Sequence, residues 1–400
     1  MARVAERLLP AVRERLARRE GRMAGEAELA EQVRAAAAAA GLVLGVGDLL
    51  AVTANVGAEL WGLGPLAPLL EDPQISDILV NGPDEVWVDR GDGLSRVVVD
   101  LGAEADVRAL AVRLAAGAGR RLDEATPWAD ARLPGGLRLH AVLPPISPQG
   151  TRISLRVLRP GGLDLSDLVA CGSVPRGWQD VLRALVARRA SFLISGGTGA
   201  GKTTLLAALL SLVPSGERIV VVEDVGELRP SHPHVVHLEA RHANVEGRGA
   251  VGLEVLVRQA LRMRPDRLVV GECRGPEVRD LLAALNTGHA GGCGTVHANA
   301  CADVPARLEA LGCLAGLRPG DVRVQVGAAL DGVLHVRREG AARRLCEIAV
   351  VSRTGEQGIA LQPALVADRA PGWGGRVGPG WPVLAERLDL PDPGPEVSRW

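Results

Sequence analysis

The stretch SFLISGGTGAGKTTLLAALL, Ser191–Leu210, decides the fold of the second half of this 400-residue chain. An apolar run of strand type leads into a glycine-rich turn, and an apolar run of helical type follows. The turn carries the spacing G-x-x-x-x-G-K-[ST] between Gly196 and Thr203, in the strand–loop–helix context that this motif requires. We therefore interpret it as a phosphate-binding loop and not as a plain turn that starts a helix.

Each part of this loop suits the binding of ATP. Its glycines let the backbone wrap a phosphate, with N–H groups directed inward at a helix N-terminus. The ammonium of Lys202 can reach the β- and γ-phosphates, and the hydroxyl of Thr203 can ligate the Mg²⁺ that accompanies ATP. The residues predicted to contact the nucleotide are Gly196, Gly197, Thr198, Gly199, Ala200, Gly201, Lys202, Thr203 and Thr204.

Lys202 is the only lysine in the chain, since every other one of the 46 Lys plus Arg residues is Arg. Lys, Tyr, Phe, Asn and Ile, the residue types with codons rich in A and T, are scarce, which indicates a coding bias against lysine. A residue type that the chain otherwise avoids indicates a chemical requirement. Lysine is a compact point charge that fits within a phosphate loop, whereas arginine is a wide planar fork.

Composition and charge limit the class of protein. The length suits two domains, and a hydrophobic content of 47% suits a globular core. The net charge of −1 provides no basic field, so no nucleic-acid partner is expected. No signal peptide or membrane-spanning run is recognised, and the six cysteines form no CxxC pair, so we expect a cytoplasmic protein with reduced thiols.

Strands alternate with helices in the second half, which predicts a parallel sheet covered on both faces. The first half has the shorter alternating runs of a smaller α+β domain, with a hairpin around the turn DRGDG. The predicted segments are a helical extension (1–58), an α+β domain (59–158), a linker (159–166), an α/β ATPase domain (167–355) and an irregular tail rich in Pro and Gly (356–400).

Acidic residues end two of the apolar strands that follow the phosphate loop. Glu272 ends RLVVGE, and Glu223 ends RIVVVE. The carboxyl ends of parallel strands converge on one crevice, so both carboxylates are predicted to face the phosphates. Glu272 is the candidate catalytic carboxylate and a candidate Mg²⁺ ligand, and Glu223 a candidate support for the metal or the attacking water.

The segment NTGHAGGCGTVHANA carries His289 and His297 and is interpreted as a sensor of the γ-phosphate. Two alternatives stay open: an ordinary loop, and a metal site built from residues four apart. The glycines make a poor helix, and the spacing is not that of common zinc sites. The metal alternative would use His289, Cys293, His297 and Cys301.

Four motifs in order resemble the Walker A, Asp, Walker B and His boxes of the type II/IV secretion ATPase superfamily. They are the phosphate loop, RIVVVEDVGEL, LRMRPDRLVVGECRGPE and NTGHAGGCGTVHAN. In the first half GLGPLAPLLEDPQISDILVNGPDEVWV, GRRLDEATPWADARLPGGLRLHAVLPP and TRISLRVL look like the Tad/CpaF branch, which is close to the VirB-type ATPases. The resemblance covers about residues 59–355. One departure is AGGCG after His289, which is smaller than the DGSLS-like run of the family.

The resemblance implies a RecA-like P-loop domain and a homohexameric ring that hydrolyses ATP. It further implies a cytoplasmic position at the inner face of the cell membrane, with a peripheral membrane contact and inner-membrane pilus or secretion proteins as partners. His297 would be the γ-phosphate sensor, with His289 nearby. Charge-compensating arginines of the N-terminal domain would be Arg138, Arg152 and Arg156. The direction of work, pilus extension or retraction, is not specified.

Two rival functions are retained. One is a nucleotide-gated structural ring with little hydrolysis, against which Glu272 argues. The other is a RecA-like motor on nucleic acid, against which the net charge and the lack of interleaved aromatic and basic residues argue.

Overall fold

The structure is a computed structural model that divides into two compact units, Met1–Arg159 and Pro160–Trp400. The residues that the structure describes are 2–17, 26–42, 44–72, 74–91, 93–133, 137–157, 162–241, 249–340, 342–354, 358–368 and 375–391.

The first unit begins with three helices that bury apolar side chains together. They are α1 (Ala2–Ala17), α2 (Glu26–Ala39) and α3 (Val46–Trp61). Helix α1 continues through Pro10. The apolar faces form one cluster, so these helices stabilise each other by hydrophobic burial. The cluster includes Leu8, Val12, Leu29, Val33, Val52 and Val56.

The rest of the first unit is an antiparallel sheet of six strands with one helix, α4 (Glu104–Gly117). Every second side chain of the central strands enters a shared apolar core, the alternation expected of a sheet with one buried face. The spatial order is β3-β2-β1-β6-β5-β4. The strands are β1 (Asp77–Gly82), β2 (Glu85–Asp89), β3 (Leu94–Val97), β4 (Trp128–Leu133), β5 (Leu137–Val142) and β6 (Arg152–Val157).

The second unit contains a sheet of nine strands in the order β15-β14-β13-β12-β7-β11-β10-β8-β9. From β12 to β9 the neighbours are parallel, and β12 to β15 are antiparallel. Its strands are β7 (Phe192–Gly196), β8 (Ile219–Glu223), β9 (Val235–Glu239), β10 (Arg267–Cys273), β11 (Cys293–His297), β12 (Gly332–Glu339), β13 (Ala342–Thr354), β14 (Gly358–Ala367) and β15 (Gly375–Val377).

Helices cover both faces of this sheet, so the predicted parallel α/β core is confirmed. One apolar cluster joins the sheet to α5 (Leu165–Ala170), α6 (Gln179–Ala187), α7 (Lys202–Leu210) and α12 (Trp381–Leu388). The other joins it to α8 (Leu253–Ala260), α9 (Glu277–Asn286), α10 (Val304–Leu314) and α11 (Pro319–Ala329).

The prediction of an irregular tail over residues 356–400 is wrong for its described part, which contains β14, β15 and α12. Its glycines allow close packing. A Cβ at Gly378 would lie 2.2 Å from the carbonyl oxygen of Pro363, and one at Gly380 would lie 2.5 Å from that of Gln362. The high glycine content that suggested an irregular tail therefore reflects, at these two positions, close backbone approach.

Across the described helices, none is both long enough and apolar enough to span a bilayer.

Candidate functional site

The phosphate loop joins the end of β7 to the start of α7. Gly199 and Gly201 adopt φ values of +68° and +93°, a region that favours glycine. Gly196 meets a different constraint, because a Cβ there would lie 2.4 Å from the carbonyl oxygen of Val336 on β12. Conformation and close packing thus both fix the glycines of the motif.

The ammonium of Lys202 is folded over this loop. Its Nζ donates hydrogen bonds to the carbonyl oxygens of Gly196, at 3.0 Å, and Gly197, at 2.9 Å, and the residue is only 9% exposed. Burial lowers the pKa of Lys202, and the nearby carboxylate of Glu272 opposes that shift. A bound phosphate would provide the compensating charge in the space that the loop encloses.

Strand register brings the other predicted residues to the edge of the sheet that carries the loop. His297 is paired with Gly196 on β7, so it ends β11 beside the loop. Between Val270 and Cys273 the register of β10 against β11 shifts, so that β10 has one residue more than β11. Such a bulge redirects side chains, and Glu272 lies within it, 28% exposed. Glu272 and His297 therefore both lie at the edge of the sheet that carries the phosphate loop, as predicted from the convergence of the strand ends.

Glu272 forms an ion pair with the residue two positions after it. Arg274 Nη2 lies 2.5 Å from Glu272 Oε2. This hydrogen bond raises the pKa of Arg274, and the charges of Asp224 and Glu227 act in the same direction. Arg274 was not singled out from the sequence, although its place directly after the GEC of strand β10 is a signal that could have found it.

Glu223 lies at the same edge, but its carboxyl is turned inward. Its Oε1 accepts hydrogen bonds from the backbone N–H groups of Glu227 and Leu228, both at 2.9 Å. Burial raises the pKa of Glu223 to about 7. These contacts shape the loop after β8, and a direct contribution of Glu223 to the metal or the water stays a prediction.

His289 is not brought to the phosphate loop. It precedes β11 at the opposite edge of the sheet, where Nδ1 lies 3.3 Å from the carbonyl oxygen of Ala284 on α9. A five-residue strand is about 13 Å long, so within this unit the expectation that His289 lies beside His297 is wrong. The same separation prevents Cys293 and His297 from sharing a metal. No cluster of three His, Cys, Asp or Glu side chains in the described part of the chain could hold one.

Steric contacts explain why the residues after His289, AGGCG, are small. A Cβ at Gly292 would lie 2.4 Å from the Leu285 side chain, and one at Gly294 would lie 2.6 Å from the carbonyl oxygen of Val270. Strand β11 therefore passes so close to β10 and α9 that larger residues would not fit. The departure AGGCG reflects this packing.

A buried histidine beneath the phosphate loop was missed by sequence reasoning. His335 on β12 is 1% exposed, and its Nδ1 lies 2.9 Å from the Oγ of Ser195. Ser195 directly precedes Gly196, the first glycine of the loop. Burial lowers the pKa of His335 to about 4, and a hydrogen bond to the Asn299 backbone opposes that shift. The ring thus connects the base of the phosphate loop with the segment that follows His297.

A cavity of about 390 Å³ adjoins the first turn of α7. Aliphatic side chains form much of it, and Arg343 lies at the loop, where its Nε donates to the carbonyl oxygen of Gly199 at 3.0 Å. Pockets with mostly apolar walls and a few polar groups are typical of small-molecule sites. Its lining includes Leu168, Val174, Gly201, Thr204, Leu205 and Arg343.

The candidate arginines of the first unit lie on strands β5 and β6. Arg138 and Arg156 are directly opposite each other, and Arg132 on β4 is opposite Arg138. The three arginines therefore form one cross-strand row on the sheet of the first unit. Arg152 is paired with Val142, four residues from that row. Arg132 was missed, and the register of the hairpin is the signal that could have identified it.

The residues at the edge of the second sheet suit a nucleotide-bound Mg²⁺. Thr203 is the second residue of α7 and is half-buried, and Glu272 lies partly exposed in the bulge of β10. A hydroxyl and a carboxylate are hard oxygen ligands, the type that Mg²⁺ takes together with phosphate oxygens.

Comparison with known proteins agrees with this arrangement. A family model described as "Type II/IV secretion system protein" matches residues 59–372, which is most of the chain. The chain belongs to the type II/IV secretion system protein family. The predicted resemblance to that superfamily is thereby confirmed.

Relatives within the family are similar over most of their length. "Putative conjugal transfer protein" of Mycobacterium tuberculosis is 54% identical over 334 residues, which cover 82% of this chain and 95% of that relative. "Type IV secretion system protein PtlH" of Bordetella pertussis is 35% identical over 319 residues, covering 72% and 93%.

Among solved structures, the pilus retraction motor PilT with bound ADP has a TM-score of 0.52 at 20% identity. The match covers 82% of this chain and 87% of PilT. At that identity the similarity shows the fold alone, and it supports the RecA-like assignment of this secretion-family chain.

Proposed function

We propose that this secretion-family protein hydrolyses ATP and is the motor of a Tad-type pilus or a related secretion or conjugal transfer apparatus. The observation that carries the proposal is the position of Lys202. Its buried ammonium is held over a glycine loop, at the sheet edge to which Glu272 and His297 also come. Loop, cation, carboxylate and polar sensor are the parts that phosphoryl transfer to water requires.

Each residue has a role in this reaction. Lys202 and the N–H groups at the start of α7 hold and orient the phosphates. Thr203 and Glu272 would hold Mg²⁺, which withdraws charge from the phosphates when bound. Glu272 orients the attacking water, and His297 hydrogen-bonds near the γ-phosphate. Arg138, Arg152 and Arg156 are the candidates for charge compensation, a role that can accelerate such reactions by about 10³-fold or more. The cross-strand pair Arg138 and Arg156 is favoured over Arg152, which lies four residues along the strand.

The cavity beside α7 is the proposed position of the nucleoside. It begins at Gly201 and Thr204, so a phosphate chain on the loop would lead directly into it. Its aliphatic walls suit a base, and Arg343 can stack on the ring face.

We further propose a homohexameric ring in the cytoplasm, in peripheral contact with the inner face of the membrane and with pilus or secretion platform proteins. The conjugal transfer name of the relative at 54% identity supports this class of apparatus. The net charge of −1 continues to argue against a motor on nucleic acid.

Phosphate release by the purified protein, with its mass measured by light scattering, tests this function. We expect rings that turn over Mg²⁺·ATP, and a Glu272→Gln variant that binds ATP but is slower by about 10²- to 10⁴-fold. ATP binding without turnover, even with lipid and platform proteins, would indicate the structural ring. Stimulation by DNA that declines with salt would indicate the nucleic-acid motor.

A further inference from the structure

The ion pair between Arg274 and Glu272 occupies the carboxylate on which the proposed reaction depends. Arg274 is 61% exposed and Glu272 is 28% exposed, so solvent reaches both partners. Solvent-exposed pairs of this type are weak and easily exchanged. A guanidinium on Glu272 also competes with any cation that this carboxylate would bind.

A second pair of acidic side chains follows strand β8, which is the parallel neighbour of β10. Gly271 packs against Glu223 on the neighbouring strand, since a Cβ there would lie 2.5 Å from Glu223 Cγ. Strands β8 and β10 are parallel with Val222 opposite Val270, so Asp224, which directly follows β8, comes to the same edge of the sheet as Glu272. Glu227 follows in the loop that the buried carboxyl of Glu223 shapes.

The charges of this cluster interact. Asp224 and Glu227 stabilise the cationic form of Arg274, as Glu272 does. The charge of Arg274 also extends to the phosphate loop, where it opposes protonation of Lys202. Arg274 therefore interacts with two acidic positions, Glu272 at the proposed Mg²⁺ site and the pair that follows β8.

We propose that Arg274 is a positioning residue that changes partners. It neutralises Glu272 before nucleotide binds, and it pairs with Asp224 and Glu227 once Glu272 engages Mg²⁺·ATP. This inference rests on the proposed function. Because of this exchange, the charge of Glu272 is paired before nucleotide binds. The exchange also couples the loop after β8 to the binding of Mg²⁺·ATP.

Equilibrium binding of a fluorescent, non-hydrolysable ATP analogue tests this exchange independently of turnover. The half-saturating Mg²⁺ concentration is measured at fixed analogue concentration. Arg274→Gln removes the competitor, so that concentration should fall about two- to fivefold. The double variant Asp224→Asn/Glu227→Gln removes the alternative acidic partners of Arg274. It should raise the half-saturating Mg²⁺ concentration by a similar factor.

The triple variant separates exchange from direct electrostatics. If Asp224 and Glu227 act through Arg274, adding Asp224→Asn and Glu227→Gln to the Arg274→Gln variant should change the Mg²⁺ requirement no further. An equal rise in both backgrounds would overturn the proposal, as would an unchanged or raised requirement in Arg274→Gln. Arg318→Gln, which breaks an exposed ion pair with Asp321 on α11, is the matched control and should have no effect.

The outcomes distinguish this inference from the proposed function. A wild-type protein that binds the analogue with Mg²⁺ but never releases phosphate would contradict the motor and leave the Mg²⁺ comparison valid. A wild-type protein that hydrolyses ATP, together with variants whose half-saturating Mg²⁺ concentration is unchanged, would contradict only the role of Arg274. Thermal unfolding of each variant verifies that it is folded.

Discussion

Ser195 Oγ and His335 Nδ1 lie 2.9 Å apart in the interior of the second unit, where β7 and β12 run side by side. The low pKa of His335, about 4, keeps its ring neutral near pH 7. A neutral ring can accept from the Ser195 hydroxyl and donate to the Asn299 backbone. The base of the phosphate loop and the segment after His297 are thus joined through one buried side chain.

Replacing His335 with Leu should lower the free energy of unfolding by about 2–5 kcal/mol, because two buried polar groups lose their partner. His335→Gln keeps a donor and an acceptor and should recover much of that loss. The folded pKa lies below the ordinary value of 6.5, so the stability contributed by neutral His335 is present above pH 6.5 and lost as pH falls toward 4. Urea unfolding at pH 5 and pH 7.5 measures both effects. Equal stability of the Leu and Gln variants would contradict this role.

Glu223 should have the opposite dependence on pH. Its folded pKa of about 7 lies above the ordinary value of 4.5, so its stabilising contribution is full below pH 4.5 and is lost as pH rises through 7. The penalty at pH 8 is of the order of 3 kcal/mol. Glu223→Gln keeps an oxygen for the two N–H groups of the loop and avoids the buried charge. It should therefore be more stable than wild type at pH 8 and similar at pH 4.5 by urea unfolding. A variant that is less stable than wild type at pH 8 would show that the charged carboxyl is required.

The arginines of the first unit should not contribute equally. Arg138 and Arg156 share one cross-strand row, whereas Arg152 lies four residues away, about 13 Å along the strand. We expect Arg138→Ala and Arg156→Ala each to lower kcat by about 10³-fold, and Arg152→Ala to have a much smaller effect. Steady-state kinetics with a thermal unfolding control measure this difference. An equal decrease in kcat in all three variants would contradict the prediction that Arg152 differs from the cross-strand pair Arg138 and Arg156.

Much of this architecture follows from local sequence signals. The phosphate loop, the alternating strands and helices, and the place of Glu272 near the end of β10 each depend on spacing within a short segment, and the sequence sufficed to predict them. Local patterns also gave the hairpin of β2 and β3 in the first unit.

Residues whose environment depends on distant strands could not be assigned in this way. His289 was misplaced because strand β11 separates it from His297. His335 was missed because its partner Ser195 is 140 residues away. The tail was misread because its glycines serve contacts with Pro363 and Gln362. In each case tertiary pairing determined the environment.

The most direct test of the central claim is phosphate release from Mg²⁺·ATP by wild type, Lys202→Ala and Lys202→Arg. The hydrogen bonds of Nζ to the loop carbonyls depend on one compact ammonium. Both variants should keep a folded second unit and lose turnover, Lys202→Arg because the planar guanidinium does not fit the loop. Turnover at the wild-type rate in folded Lys202→Ala would contradict the assignment of this loop as the site of ATP hydrolysis.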